Sequence, residues 1–179
     1  MTHYVALLRG INVGGKNALP MKDLAAMFSA AGCEDVVTYI QSGNVVFTAR
    51  PAIAAKVPAA IAGAILGSRK YRVPVVMRSA DEVREVAGRN PFLAAGHDPA
   101  TLHVAFLADK PKVAGVASLD AGRSPPDELV VRGREIYLRL PNGVAPSKLT
   151  NAYFDSALGT TSTMRNWRTV LKLIELVDR

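Results

Sequence analysis

Two β-prone runs, residues 35–40 and 45–47, are separated by only the four residues Gln41-Ser-Gly-Asn44. Parallel neighbours need a connection of a dozen or more residues, so no crossover fits in that gap. The runs therefore pair as an antiparallel hairpin, and the flanking patterns decide what sheet it joins. Upstream, residues 4–9 read as a short buried strand ending at Gly10, and a helical pattern places Met21, Leu24, Ala25 and Phe28 on one face. Pro20 suits that helix's first turn and Gly32 its C-terminal cap. Downstream, an Ala-rich helical segment within residues 51–66 restarts at Pro58, and residues 71–77 form a fourth strand. The order is βαββαβ, the ferredoxin-like arrangement.

The second half reads as another α+β unit. Ser79-Ala-Asp-Glu82 is a capping box that opens a helix ending before Asn90-Pro91. Residues 101–108 alternate as a strand, a short helix covers about 113–119, and residues 128–131 and 135–140 flank the turn Arg132-Gly-Arg134. Two helices close the chain, over 147–158 and about 164–177. The last opens at Arg165-Asn-Trp167, with Thr161 or Thr163 as cap and Trp167, Val170, Leu171 and Ile174 as its apolar face. That spacing makes Trp167 an anchor between the halves. The expected fold is α+β: a ferredoxin-like N-terminal half, residues 1–80, packed on a second α+β half, residues 81–179, with C-terminal helices. No short internal repeat is visible.

Several function classes drop out on composition. The single cysteine, Cys33, excludes an intrachain disulfide and a multi-cysteine zinc site, and without a neighbouring histidine or base it reads as an inert, partly buried thiol. His3, His97 and His103 lack ligand spacing, so neither a metal nor another cofactor is implied. The apolar stretch 57–67 is too short to span a bilayer. The first residues carry no basic leader, and Arg9 interrupts their apolar run. A cytoplasmic protein with no membrane partner is the expectation; its oligomeric state is not legible. The formal net charge is +7, and residues 1–80 hold most of it, with nine Lys/Arg against three Asp/Glu. A surplus confined to one half suits a surface that attracts anions, whether small molecules or nucleic acid.

The densest polar pattern lies in that basic half. Gly10-Ile-Asn-Val-Gly-Gly-Lys-Asn17 follows a strand and has the G-x-x-x-x-G-K spacing of a phosphate-binding loop. Asn17 replaces the hydroxyl that such a loop presents to Mg²⁺, and Pro20 delays the helix beyond the lysine. What survives is a Gly-Gly turn able to offer backbone N–H groups and Lys16 to an anion. In a βαββαβ unit the end of the first strand and the start of the third share one sheet edge. The candidate ligand-binding set is therefore Arg9, Asn12, Gly14, Gly15, Lys16, Asn17, Gln41, Ser42 and Asn44. The alternative is structural: Gly14 and Gly15 allow a tight turn, Asn12 and Asn17 satisfy backbone, and Lys16 sits in solvent.

Three functional readings follow. The first is a binding module for an anionic small ligand, a nucleotide or phosphorylated metabolite. The second is a nucleic-acid-binding protein using the basic half, for which Tyr4 and Phe47 occupy the strands that stack bases in RNA-recognition domains, though the third strand lacks their signature and Phe47 reads better as core. The third is an enzyme on a phosphorylated substrate, with Lys16 and Arg9 stabilising charge. Ser42 lies in no nucleophile elbow. Arg165 and Asn166 either hold the 147–151 segment or face a ligand.

Four segments carry a resemblance: Ala6-Leu-Leu-Arg-Gly-Ile-Asn-Val-Gly-Gly-Lys-Asn17, Tyr39-Ile-Gln-Ser-Gly-Asn-Val-Val-Phe47, Ser147-Lys-Leu-Thr-Asn151 and Arg165-Asn-Trp-Arg-Thr-Val-Leu-Lys172. In order and spacing the chain resembles a bacterial family known as domain of unknown function 1697. The resemblance implies a two-part α+β protein with ferredoxin-like topology; it implies no catalytic residues.

Overall fold

In the computed structural model, which describes residues 1–179, β1 (Thr2–Leu8) passes through a long loop into α1 (Met21–Ala30), and β2 (Glu34–Tyr39) turns back as β3 (Asn44–Ala49). Then come α2 (Pro51–Ala54), α3 (Val57–Arg69), β4 (Val75–Ser79) and α4 (Ala80–Gly88). The four strands form one antiparallel sheet in the order β2-β3-β1-β4, the expected ferredoxin-like topology. On one face, Leu24 and Phe28 of α1 and Val57, Ile61 and Ile65 of α3 join Ala6, Leu8, Val45 and Phe47 in a core. The four-residue spacing of these helical positions is what aligns them on one side of each helix. Helix α1 stops where Gly32 adopts φ +89°, letting the Cys33 N–H reach the Phe28 carbonyl at 3.1 Å. Pro20 stands at its N-cap, one residue ahead of the helix.

Two details differ from expectation here, the start of β4 and the burial of Cys33, while Phe47 lies in the core as read. Strand β4 starts at Val75 instead of residue 71, because Pro74 has no N–H to give a ladder. Its carbonyl instead accepts from the Arg9 N–H at 3.1 Å. Tyr4 and Phe47 are cross-strand partners whose rings lie 5.7 Å apart, on the helix-covered side, with Phe47 also 5.3 Å from Phe28. Phe47 is fully buried, so the pair is core and not a base-stacking platform. Cys33 is more buried than read, at 5% exposure, and burial pushes its thiol pKa up.

The capping box forms as read, with Glu82 N–H donating to Ser79 Oγ at 3.3 Å and Ser79 N–H to Glu82 Oε2 at 2.8 Å. Beyond it lie α5 (Pro91–Ala94), β5 (Leu102–Leu107), α6 (Val113–Ala117), β6 (Glu128–Arg132), β7 (Glu135–Arg139), α7 (Asn151–Leu158), β8 (Ser162–Asn166) and α8 (Trp167–Val177). The second sheet, also antiparallel, runs β6-β7-β5-β8, which repeats the first sheet's order strand for strand. Its core comprises Ala105, Leu107, Ile136, Leu138, Leu149 and Phe154. The chain divides into two units, Met1–Arg84 with Lys172–Arg179, and Glu85–Leu171.

The last two helices begin later than the sequence suggested. Thr150 caps α7 by accepting the Tyr153 N–H at 3.2 Å, so residues 147–150 are entry loop. Residues 162–166 are strand β8, and α8 starts at Trp167 because Asn166 Oδ1 takes the Thr169 N–H at 2.8 Å; neither Thr161 nor Thr163 is the cap. The buried face of α8 is Trp167, Val170, Leu173 and Val177, while Leu171 is half exposed.

Aligning the sheets exposes a repeat that periodicity hides. Val5-Ala6 in β1 corresponds to Val104-Ala105 in β5, and Met77-Arg78-Ser79 in β4 to Met164-Arg165-Asn166 in β8. In each unit the arginine lies opposite the valine, and the next residue caps the following helix.

Candidate functional site

Strand β1 ends and β3 begins side by side, with Leu7 opposite Asn44, so the loop after β1 and the turn before β3 meet at one edge. The Leu8 N–H donates to the Gly43 carbonyl at 2.8 Å. Gly43 has φ +81°, and a Cβ there would stand 2.7 Å from Leu8 Cβ and 3.0 Å from Ile11 Cδ1. Only glycine permits both that backbone and that approach.

Asn12 organises the loop. Its Nδ2 donates to the carbonyls of Leu19 and Gln41, both at 2.9 Å, and its Oδ1 accepts the Leu19 N–H at 2.8 Å. Backbone at φ +54°, which asparagine tolerates better than most residues, aims the side chain at all three. Asn17, also left-handed at φ +52°, donates from Nδ2 to the Gly10 carbonyl at 2.8 Å. Fully buried Ile11 and Leu19 pin the two ends, and the Tyr71 hydroxyl donates to the Ala18 carbonyl at 2.7 Å.

Between these anchors, Val13-Gly-Gly-Lys16 closes with Lys16 N–H donating to the Val13 carbonyl at 3.0 Å. Gly14 and Gly15 have φ +56° and +73°. Positive φ at both central residues is the signature of a type I′ turn. It is a miniature hairpin, not a phosphate loop winding into a helix, since α1 begins only at Met21. No heavy atom lies within 4 Å of where a Cβ would stand on either glycine. Lys16 and Gln41 are exposed, as are Val13 and Ile40. Ile40 holds φ +48°, a strained setting for a β-branched residue.

The nine residues singled out from sequence thus gather at one edge but divide by occupation. Asn12 and Asn17 spend their side chains on the loop's own backbone. Asn44 is fully buried, donating to Tyr39 O and Ser42 Oγ, and Arg9 and Ser42 are likewise engaged within the chain. Gly14, Gly15, Lys16 and Gln41 face solvent. Sequence reasoning placed Gly43 in the turn at this edge but not in the candidate set, and it missed Ile40 and Tyr71; a left-handed isoleucine leaves no sequence signal.

Elsewhere in the first unit, clefts of about 350 Å³ (Met1, Gly32, Glu34, Arg50, Ala52, Ile53) and about 280 Å³ (His3, Asp35, Val37, Val46, Leu176, Arg179) include none of the loop. Arg165 lies buried in β8, its Nη1 donating to Thr163 Oγ1 at 2.8 Å and to the Met164 carbonyl at 2.9 Å. Desolvation lowers its pKa to about 10, still high enough to keep it charged at neutral pH.

Two consecutive βαββαβ sheets with identical strand order define a duplicated ferredoxin-like α+β protein. The chain belongs to the family described as protein of unknown function (DUF1697), which matches residues 1–137. The first two resembling segments lie inside that match; those at 147–151 and 165–172 lie beyond it. Among solved structures, the chain is similar to a conserved bacterial protein from Streptococcus pneumoniae at 24% identity and a TM-score of 0.72, covering 100% of this chain and 99% of that one. At that identity the likeness is one of fold. No curated protein matches the chain. No helix is long and apolar enough to cross a membrane.

Proposed function

We propose that the protein binds an anionic small molecule, a nucleotide or phosphorylated metabolite, at the turn formed by Gly14, Gly15 and Lys16. One observation carries this reading: the turn is held rigid from below and left open above. Asn12 and Asn17 fix its base through four hydrogen bonds, and no heavy atom crowds either glycine. A preformed donor array avoids most of the ordering cost that a mobile loop would incur on binding. In this reading Asn12 and Asn17 are positioning residues, Lys16 supplies charge, and Gln41 with Val13 and Ile40 forms the rim. Arg9, Ser42 and Asn44 support the edge from behind. Full burial of Phe47, with the partly buried Tyr4 packed against it in the helix-side core, favours a small ligand over a stacked nucleic-acid strand.

A thermal-shift screen against nucleotides and phosphorylated metabolites tests the reading. A ligand at 100 times its Kd adds about 2.7 kcal/mol to folding stability, a readily measured rise in Tm. Oligonucleotides in the same screen provide the contrast. Binding of these alone, weakening steeply with added salt, replaces the small-molecule reading with nucleic-acid binding.

A further inference from the structure

Strand β6 forms one edge of the second sheet, whose order is β6-β7-β5-β8. Its inner side pairs with β7 residue for residue, from Glu128 opposite Arg139 to Arg132 opposite Glu135, with no bulge. The turn between the two strands is Gly133-Arg134, with Gly133 at φ +60°. A two-residue turn makes its flanking residues, Arg132 and Glu135, a hydrogen-bonded pair, and bonded pairs then alternate along the ladder. Glu128, Val130 and Arg132 therefore direct their backbone groups to β7, while Leu129 and Val131 direct theirs outward. Those outward N–H and carbonyl groups meet no partner in the chain. A regular open edge of this kind is a template for another strand. The corresponding edge of the first sheet is blunted: β2 shifts register between Glu34 and Val37, with Asp35 at φ +49°.

The sequence of β6, Glu-Leu-Val-Val-Arg, is complementary to its own reverse. Antiparallel pairing of two copies about Val130 sets Glu128 opposite Arg132 of the second copy, Leu129 opposite Val131, and Val130 opposite itself. In that register Leu129 and Val131 form the bonded pairs, each exchanging both N–H···O bonds across the two-fold axis. The side chains agree on both faces. Leu129 and Val131 pack on the second unit's core, so their row stays apolar across the junction. On the other face Glu128 accepts from Arg139 through Oε2 at 2.6 Å, leaving Oε1 unused. Arg132 spends only Nη1, on the Arg89 carbonyl at 2.6 Å. Joining the sheets lines up Arg139, Glu128, then Arg132 and Glu135 of the second copy, a row whose sign alternates at every step. Each edge charge then has an opposite charge on both sides.

We propose that β6 is a self-association edge, where a second copy of this chain pairs antiparallel about Val130 and joins two four-stranded sheets into one. The edge shares no residue with the Lys16 turn and does not rest on ligand binding there. A contact confined to one short strand is small, so the dimer is weak and concentration-dependent. Sedimentation velocity of the full chain from about 10 μM to about 1 mM should show monomer passing to dimer. Over the same range the Leu129 and Val131 amides should gain protection from hydrogen exchange, whereas the Val130 amide, already directed to β7, should change less. Glu128→Arg alone sets arginine against arginine, and Arg132→Glu alone sets glutamate against glutamate. Each should weaken self-association at least about tenfold. An equimolar mixture of the two variants restores both charge pairs and should recover the dimer. Both positions are exposed, so the variants should stay folded; should either not, wild-type amide exchange still decides the matter. Absence of dimer up to about 1 mM overturns the proposal, as does a dimer that leaves the Leu129 and Val131 amides unprotected. Wild-type association in both single variants, or no recovery in their mixture, overturns it as well.

Discussion

Replacing Asn12 by alanine removes the brace that sets the whole loop, and the structure gives the size of the loss. Leu19 is fully buried, and both its N–H and its carbonyl depend on the Asn12 side chain. Leaving that pair unmet costs about 1–3 kcal/mol in total, on the scale of a buried polar group that loses its partner. The Gln41 carbonyl lies at the surface and recovers most of its loss from water. Alanine at φ +54° adds about 1 kcal/mol of backbone strain. Asn12→Ala should therefore lower folding stability by about 2–4 kcal/mol, measured by equilibrium urea unfolding. Asn12→Gly, which adopts that backbone freely, should recover about 1 kcal/mol of this. A loss below about 0.5 kcal/mol, the range of ordinary surface changes, would show that the side chain does not hold the loop.

Gly43→Ala should destabilise more than Gly14→Ala, because both have positive φ but only Gly43 also places a Cβ against Leu8; paired urea titrations give the order. Burial lowers the His103 pKa, and its Nδ1 has no partner. Below the ordinary histidine pKa the unfolded chain then binds the proton that the native state refuses, so stability should fall as pH drops below about 6.5. His103→Gln should flatten that limb of the stability profile. Burial raises the Tyr137 pKa to about 12, with its hydroxyl donating to the Val86 carbonyl at 2.8 Å. Ultraviolet titration of native protein should show one phenol ionising last, absent from Tyr137→Phe, with stability lost as pH rises from about 10 towards 12.

What the sequence revealed and what it hid follow from the range of the interactions. The hairpin, the Gly32 cap and the Ser79–Glu82 box are settled within a few residues, and each was readable. Strand β8 was not, because Ser-Thr-Met-Arg-Asn shows no apolar alternation and its pairing partner β5 lies some sixty residues earlier. Helical periodicity from Trp167 onward then masked the boundary that Asn166 sets. The meeting of the two loops was legible from topology alone, since β1 and β3 must be antiparallel neighbours. Whether Asn12 faces a ligand or its own backbone was not, because that depends on a left-handed φ and on how close Gln41 approaches. Arg165 was ambiguous for a similar reason: its burial comes from a strand that the chain's local pattern does not announce.

The Gly14-Gly15-Lys16 turn is proposed as a binding surface and not only scaffold. Calorimetry of wild type and Lys16→Ala, with an anion that raises the wild-type Tm, tests it most directly. Lys16 is exposed, so its removal should change folding stability by less than about 0.5 kcal/mol. Affinity should nonetheless fall by about 1.5–3 kcal/mol, the scale of a charge-assisted hydrogen bond. Unchanged affinity in a stably folded Lys16→Ala would contradict the claim and leave the turn as a structural hairpin.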